Sequence, residues 1–417
     1  MVSSKWIVSK RQDLLWFIGS ILISYVFLLL YYGLSNFTQL SLAYSSLFIF
    51  FLWTIIFDST HIFATYTRTY FDKDFFEKNQ RLLYGMLGLL FIGPCYMTLF
   101  YLIGTQEQYR AAFIVFNRFG VMYAYYHLIR QHWGFMTLYN RKSNISSKIQ
   151  INLESIILWS GTVYPFFYHH LHYYVPFGLA EEKANGIGQH DWVIVNSILF
   201  LISLFLLGIR FLIPVHNTKT LITKVGVIFF MVSVVLYGTL YFGLEQCIKT
   251  VLFISAAVFI GTVVIYLVSM ISNIRDNNFS LQKTVLLFLV IITNNFILSL
   301  NLPYITAYAC ITVFHNIQYH AIIQFHNKNK YIDNEKKFGW AAKMTKNIFL
   351  FIILALGFNL VFTLPRTASQ YLSHEFLVCL VASFFWGVGF HHYVLDAIIW
   401  RPSRDKEVKT HLGLQLK

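Results

Sequence analysis

The feature that most limits this chain is a succession of apolar runs, each close to the length of about 20 residues that an α-helix needs to cross the hydrocarbon core of a bilayer. The runs fall near residues 14–34, 40–60, 82–104, 110–130, 153–178, 192–214, 222–243, 249–272, 284–300, 303–325, 346–365 and 375–398. Lipid offers no partner to a backbone N–H or C=O, so runs of this length are expected to be helices. The expected fold is all-α: a single transmembrane bundle of about 12 helices spanning residues 1–417, with a short segment 1–13 in front and a tail 400–417 behind. The first run is too long and too near the second to be a cleaved signal peptide. The weakest separation is that between the ninth and tenth runs, marked only by Asn301, Leu302 and Pro303.

Composition agrees. Charged residues make up 12% of the chain, about half of the roughly 25% usual in soluble domains, and the mean hydropathy is +0.58. The net charge of +14 does not form a basic stripe with interleaved aromatics, which argues against nucleic acid as a partner. Instead, 27 of the 32 Lys and Arg fall on one side once the runs are threaded back and forth. The other side keeps Arg110, Lys183, Lys249 and Arg366, and Arg118 lies inside the fourth run. Basic loops mark the cytoplasmic face, so both termini are expected there. The absence of a targeting peptide suggests a bacterial inner membrane. The four cysteines are scattered without a CxxC, which suggests neither a disulfide framework nor a thiolate site.

The histidines carry the chemistry. Of 15, ten sit in five clusters within or at the ends of runs: His61 with Asp58 before it; His127 and His132; His169, His170 and His172; His315 and His320; and His391 and His392 with Asp396 after them. Ionisable groups inside a membrane are costly and usually functional. One imidazole is readily explained as a hydrogen bond to a neighbouring helix, but so many would each need a polar partner. A shared metal centre satisfies several at once, because the neutral imidazole nitrogen is a common transition-metal ligand. Asp58 and His61 are three apart, and His392 and Asp396 four apart, so each pair shares a helix face. The members of each H-x4-H pair diverge by roughly 140° on a regular helix. Four clusters fall toward the cytoplasmic ends of their runs, whereas His169–His172 lies deeper. Gln131, Asn316, Gln318 and Tyr319 are interleaved with the ligand candidates and are expected to orient their rings or to bond neighbouring helices. The aromatic and charged segment from Thr65 to Arg81 is expected to lie along the membrane interface. A weak echo relates His127–His132 to His315–His320, six runs apart, as a six-plus-six duplication would.

These clusters, of the H-x3/4-H and H-x2/3-H-H kind, resemble those of the membrane di-iron superfamily, which includes fatty-acid desaturases, alkane hydroxylases and sterol and carotenoid hydroxylases. More loosely, the chain is similar to polytopic bacterial carotene-cleaving oxygenases, with lone histidines on different helices. The matching positions are His127/His132, His315/His320 and, in altered form, His169/His170/His172 and His391/His392. No H-x-x-H-H occurs, and Asp58 and Asp396 are not the usual ligands of that superfamily. The resemblance implies a non-haem iron centre of two ions that activates dioxygen against a lipid or other apolar substrate. Electrons would come from a separate donor, since no haem-attachment, dinucleotide or ferredoxin motif is present. Two alternatives stay open. A zinc hydrolase would use Asp58, His61, His391, His392 and Asp396. A transporter or haem-binding protein would use the paired histidines without catalysis.

Overall fold

A computed structural model describes residues 5–37, 41–171, 244–275, 279–331, 334–369, 374–400 and 405–414. Among these residues the secondary structure is helical, with no strand. Helix α1 (Leu22–Phe37) follows a π-helical turn at Asp13–Ile18. Next come α2 (Leu42–Trp53), a second π-helical turn (Thr54–Asp58) and α3 (Ser59–Thr67). A tight loop leads to α4 (Lys73–Met86), α5 (Leu89–Ile103), α6 (Gln106–Lys142) and α7 (Lys148–His169). After the interval 172–243 the chain continues as α8 (Leu244–Arg275), α9 (Leu281–Ser299) and α10 (Tyr304–Tyr331). Two short helices, α11 (Glu335–Phe338) and α12 (Trp340–Lys346), precede α13 (Ile348–Ser369), α14 (Glu375–Ile399) and α15 (Lys406–His411).

Among the described residues, six stretches are long and apolar enough to cross a membrane: Lys10–Asn36, Leu42–Thr67, Lys73–Ile103, Ile248–Arg275, Leu281–Ser299 and Glu375–Ile399. A seventh arises if α12 and the start of α13, bent by 117° at Asn347, count as one span. Helices α6 and α10 are not among the six. They carry His127, His132, His315 and His320, so function dilutes their hydropathy. Over its 37 residues, α6 extends about 55 Å at 1.5 Å per residue, which is longer than a hydrocarbon core. The runs expected at 192–214 and 222–243 lie outside the described residues.

The chain divides into two compact units, Met1–Thr162 with Tyr266–Lys417, and Val163–Ile265. In the first, α5 and α14 approach closely because each presents a glycine. A Cβ on Gly387 would stand 2.5 Å from the Leu90 carbonyl oxygen, and one on Gly93 would stand 2.5 Å from that of Ser383. Small residues permit this contact, and dispersion between the backbones holds it without a hydrophobic driving force. The N-terminal segment is fixed by Asp13, fully buried, whose carboxylate accepts from Ile7 N (2.7 Å), Val8 N (3.0 Å) and the Tyr139 hydroxyl at the end of α6 (2.9 Å).

Three helices are locked by a buried charge cluster. Lys283 on α9 is ion-paired to Glu154 on α7 and donates to Asn140 Oδ1 on α6 at 2.6 Å. Glu154 also accepts from Asn140 Nδ2 (2.8 Å) and Gln150 Nε2 (3.1 Å). Sequence reading counts Lys283 among the topogenic loop charges. Here it is 1% exposed and fully partnered, because burial without a counter-charge would leave an ammonium desolvated.

In the second unit, the His170 ring stacks on Phe166 at 4.2 Å, 5.7 Å from the ring of buried His169. His172, grouped with them on sequence, lies outside the described residues.

Candidate metal centre

Four helices of the first unit each deliver one imidazole to a common point: His61 from α3, His127 from α6, His315 from α10 and His392 from α14. The rings form a closed circuit with centroid separations of 4.7 Å (His61–His392), 5.1 Å (His392–His127), 5.3 Å (His127–His315) and 5.5 Å (His315–His61). All four residues are at least nine-tenths buried. Ring nitrogens of all four lack a hydrogen-bond partner: both of His61, Nε2 of His127, Nδ1 of His315 and Nε2 of His392. Buried polar atoms are nearly always paired, and an electrophile there would satisfy one nitrogen of each ring.

A carboxylate completes the set. Asp396, one turn beyond His392 on α14, places Oδ2 3.7 Å from Nε2 of both His127 and His392. Donor atoms of His127, His392 and Asp396 lie within 4.8 Å of one another. The opposite oxygen, Oδ1, takes hydrogen bonds from the Tyr319 hydroxyl (2.5 Å) and Thr65 Oγ1 (2.9 Å). Thr65 Oγ1 also stands 2.7 Å from His392 Nδ1. An ionised carboxylate only accepts, so the Thr65 proton goes to Asp396 and Thr65 in turn accepts from His392 Nδ1–H. That fixes the tautomer of His392 with its Nε2 lone pair facing the ring. His127 is held by Tyr393, whose ring stacks on it at 4.4 Å and 25°.

The remaining sequence candidates are placed as follows. Asp58 ends the π-helical turn before α3, with Oδ1 3.7 Å from His61 Nδ1. The second members of the H-x4-H pairs leave the ring, as their divergence on a regular helix requires. His132 packs on Phe314 and donates from Nδ1 to the Leu128 carbonyl (2.9 Å). His320 Nε2 meets Thr60 Oγ1 at 3.1 Å. His391 turns away, with Nδ1 3.1 Å from the Tyr66 hydroxyl and Nε2 2.8 Å from that of Tyr70. The aromatic stretch after Thr65 thus anchors α14 through His391. Among the four expected orienting residues, only Tyr319 reaches the centre, through Asp396. Gln131 Nε2 donates to the His315 carbonyl (2.9 Å), and Gln318 Nε2 donates to that of Phe17 (2.7 Å). Asn316 faces the cavity described next. Thr65 was not singled out from sequence, although it lies four residues after His61 on the same helix face.

An apolar cavity of about 170 Å³ opens onto the ring, with His61, His127 and His315 in its wall. Phe50, Trp53, Tyr308, Phe358, Phe385 and Trp386 are among its other lining residues. No protein-family model, curated protein or solved structure matches the chain.

Proposed function

We propose that the chain is a metal-dependent membrane enzyme, a non-haem iron oxygenase acting on an apolar substrate. The observation that carries this reading is the convergence of His127, His392 and Asp396, of which His127 also lines an apolar cavity. Two imidazoles and one carboxylate with positions left open form a set that suits ferrous iron and dioxygen. His61 and His315 stand beside this triad with unpaired nitrogens and would add two ligands, leaving one of six positions open. Five candidate donors exceed the four of a tetrahedral zinc site, which favours iron over the zinc hydrolase.

The resemblance to di-iron enzymes implies two ions; the ring favours one. Imidazoles bound to a single ion at 2.0–2.1 Å would have centroids about 4.6–5.3 Å apart at right-angled to tetrahedral placement, close to the observed 4.7–5.5 Å. A second ion would need further donors; both nitrogens of His391 are bonded to tyrosines, and His132, whose Nε2 is open, leaves the ring. When bound, the iron would supply dioxygen activation. The chain's own part is to orient the imidazoles, to hold Asp396 by two hydroxyl donors, and to exclude water with aromatic walls. Electrons come from a separate donor. The alternation of basic loops supports twelve spans with both termini in the cytoplasm.

The test is metal content of protein purified in mild detergent, with an absorption spectrum and dioxygen uptake in the presence of lipids. The expected result is one iron per chain, no haem band, and loss of the iron in a His127→Ala, His392→Ala double variant. One zinc instead would move the assignment to hydrolysis, and folded protein that takes up no metal would overturn it.

A further inference from the structure

The cavity is not uniformly apolar. Besides the histidines, Asn316 at both amide atoms, Thr54 at Oγ1 and Trp53 at Nε1 carry buried polar atoms in its wall with no hydrogen-bond partner. Asn316 is 0% exposed and Thr54 2%. An unmade hydrogen bond on a buried amide is expensive, and three such groups in one wall are not accidents of packing. Their positions are informative. Asn316 follows His315 directly on α10 and both line the cavity, while Thr54 opens the π-helical turn leading to Asp58 and His61. π-Helical turns commonly re-aim side chains at functional sites.

The cavity is also long. Its lining runs along α10 from Tyr304 to Asn316 and along α14 from Ala382 to Tyr393, about 16–18 Å of helix at 1.5 Å per residue. A compact ligand would not need such a lining.

We propose that the cavity takes an elongated apolar molecule bearing one hydroxyl or carbonyl oxygen, and that Asn316, assisted by Thr54 and Trp53, selects it by hydrogen-bonding that oxygen beside the histidine ring. The inference deepens the oxygenase reading and rests on it for what is done to the molecule; recognition itself rests on the cavity alone. An amide with a free donor and a free acceptor complements a hydroxyl in both directions and a carbonyl in one. The same amide rejects a pure hydrocarbon of equal length, because that occupant would seal the orphaned groups away from water without satisfying them. Asn316 is therefore a specificity residue rather than a metal ligand.

The experiment uses the full chain in phosphatidylcholine nanodiscs. Quenching of tryptophan fluorescence, to which Trp53 and Trp386 of the cavity wall contribute, reports binding of 12-bromo-1-dodecanol and of 1-bromododecane, compared per mole fraction in the lipid. The alcohol is expected to bind about tenfold more tightly than the alkane. In Asn316→Leu the two are expected to come within about twofold of each other, with alkane binding retained as the check that the cavity is intact. Thr54→Val narrows the preference less. Asn316→Ala gives the same reading should the leucine variant not fold. Equal binding in the wild type, a preference that survives the loss of Asn316, or no saturable quenching by either probe would each overturn the proposal. Every titration is run on metal-loaded and chelator-stripped protein. A preference present in protein that holds no iron sustains this inference while the oxygenase reading fails. Iron-loaded protein without a preference does the reverse.

Discussion

Two regions of the first unit bury polar groups on shared helix α6, and they treat them in opposite ways. Around Asn140, the Lys283–Glu154 pair is closed: the ammonium reaches Asn140 and Glu154, and Glu154 takes further donors from Asn140 and Gln150. Around His127, less than four turns earlier on the same helix, imidazole nitrogens face one another with no partner. The first arrangement is a structural lock. The second is costly unless something absent from the chain completes it. Burial of a polar side chain therefore does not by itself point to a site; the clustering of unpaired imidazoles is the sharper signal.

Substitutions can break this contrast. The largest effect on folding is expected for Lys283→Ala, which strands the Glu154 carboxylate and should remove about 3–5 kcal/mol of stability. Denaturant unfolding in detergent measures it, and an apolar replacement of both partners should recover most of the loss. His127→Leu should behave in the opposite sense. Metal affinity should fall by more than the 10–100-fold typical of an outer partner, while metal-free stability changes by no more than about 1.5 kcal/mol, since leucine fills a similar volume and the deleted Nε2 has no hydrogen bond to lose. Equilibrium dialysis and unfolding of the stripped protein read the two quantities.

Thr65→Val and Tyr319→Phe sharpen the comparison. Each removes a donor to Asp396 and should lower metal affinity about 10–100-fold without changing the ion count at saturation. The smallest effect belongs to a third kind of polar contact. Arg110 and Glu375 form a two-pronged pair at 2.8 and 3.0 Å between half-exposed side chains. Glu375→Gln should cost no more than about 1 kcal/mol, and less as salt is added.

The sequence showed the helices clearly, because apolar length is a direct requirement of the bilayer. Against an expected count of twelve, six apolar stretches and one bent pair are long enough to span among the described residues; the runs near 192–214 and 222–243 lie outside them, and the histidine-bearing α6 and α10 are less apolar. Candidate ligands were legible as residue types, and His61, His127, His315, His392 and Asp396 do converge. Which member of each H-x4-H pair turns inward was not legible, since that depends on helix phase and on where the partner helices stand. Thr65 was hidden by its ordinary chemistry: a threonine gains a role only when a histidine and an aspartate from α14 are brought against it. Lys283 was misjudged for a related reason. A lysine at the start of an apolar run resembles a loop charge until Glu154, far away in sequence, is seen to face it.

The central claim is that the unpaired imidazoles are ligands awaiting one ion, and X-ray absorption at the metal edge tests it most directly. For iron-loaded protein the account predicts nitrogen and oxygen neighbours near the 2.0–2.2 Å typical of His and carboxylate ligands, outer-shell scattering from several imidazoles, and no metal–metal vector. A metal bound without imidazole scattering, or a second metal about 3.5–4 Å away, would contradict it.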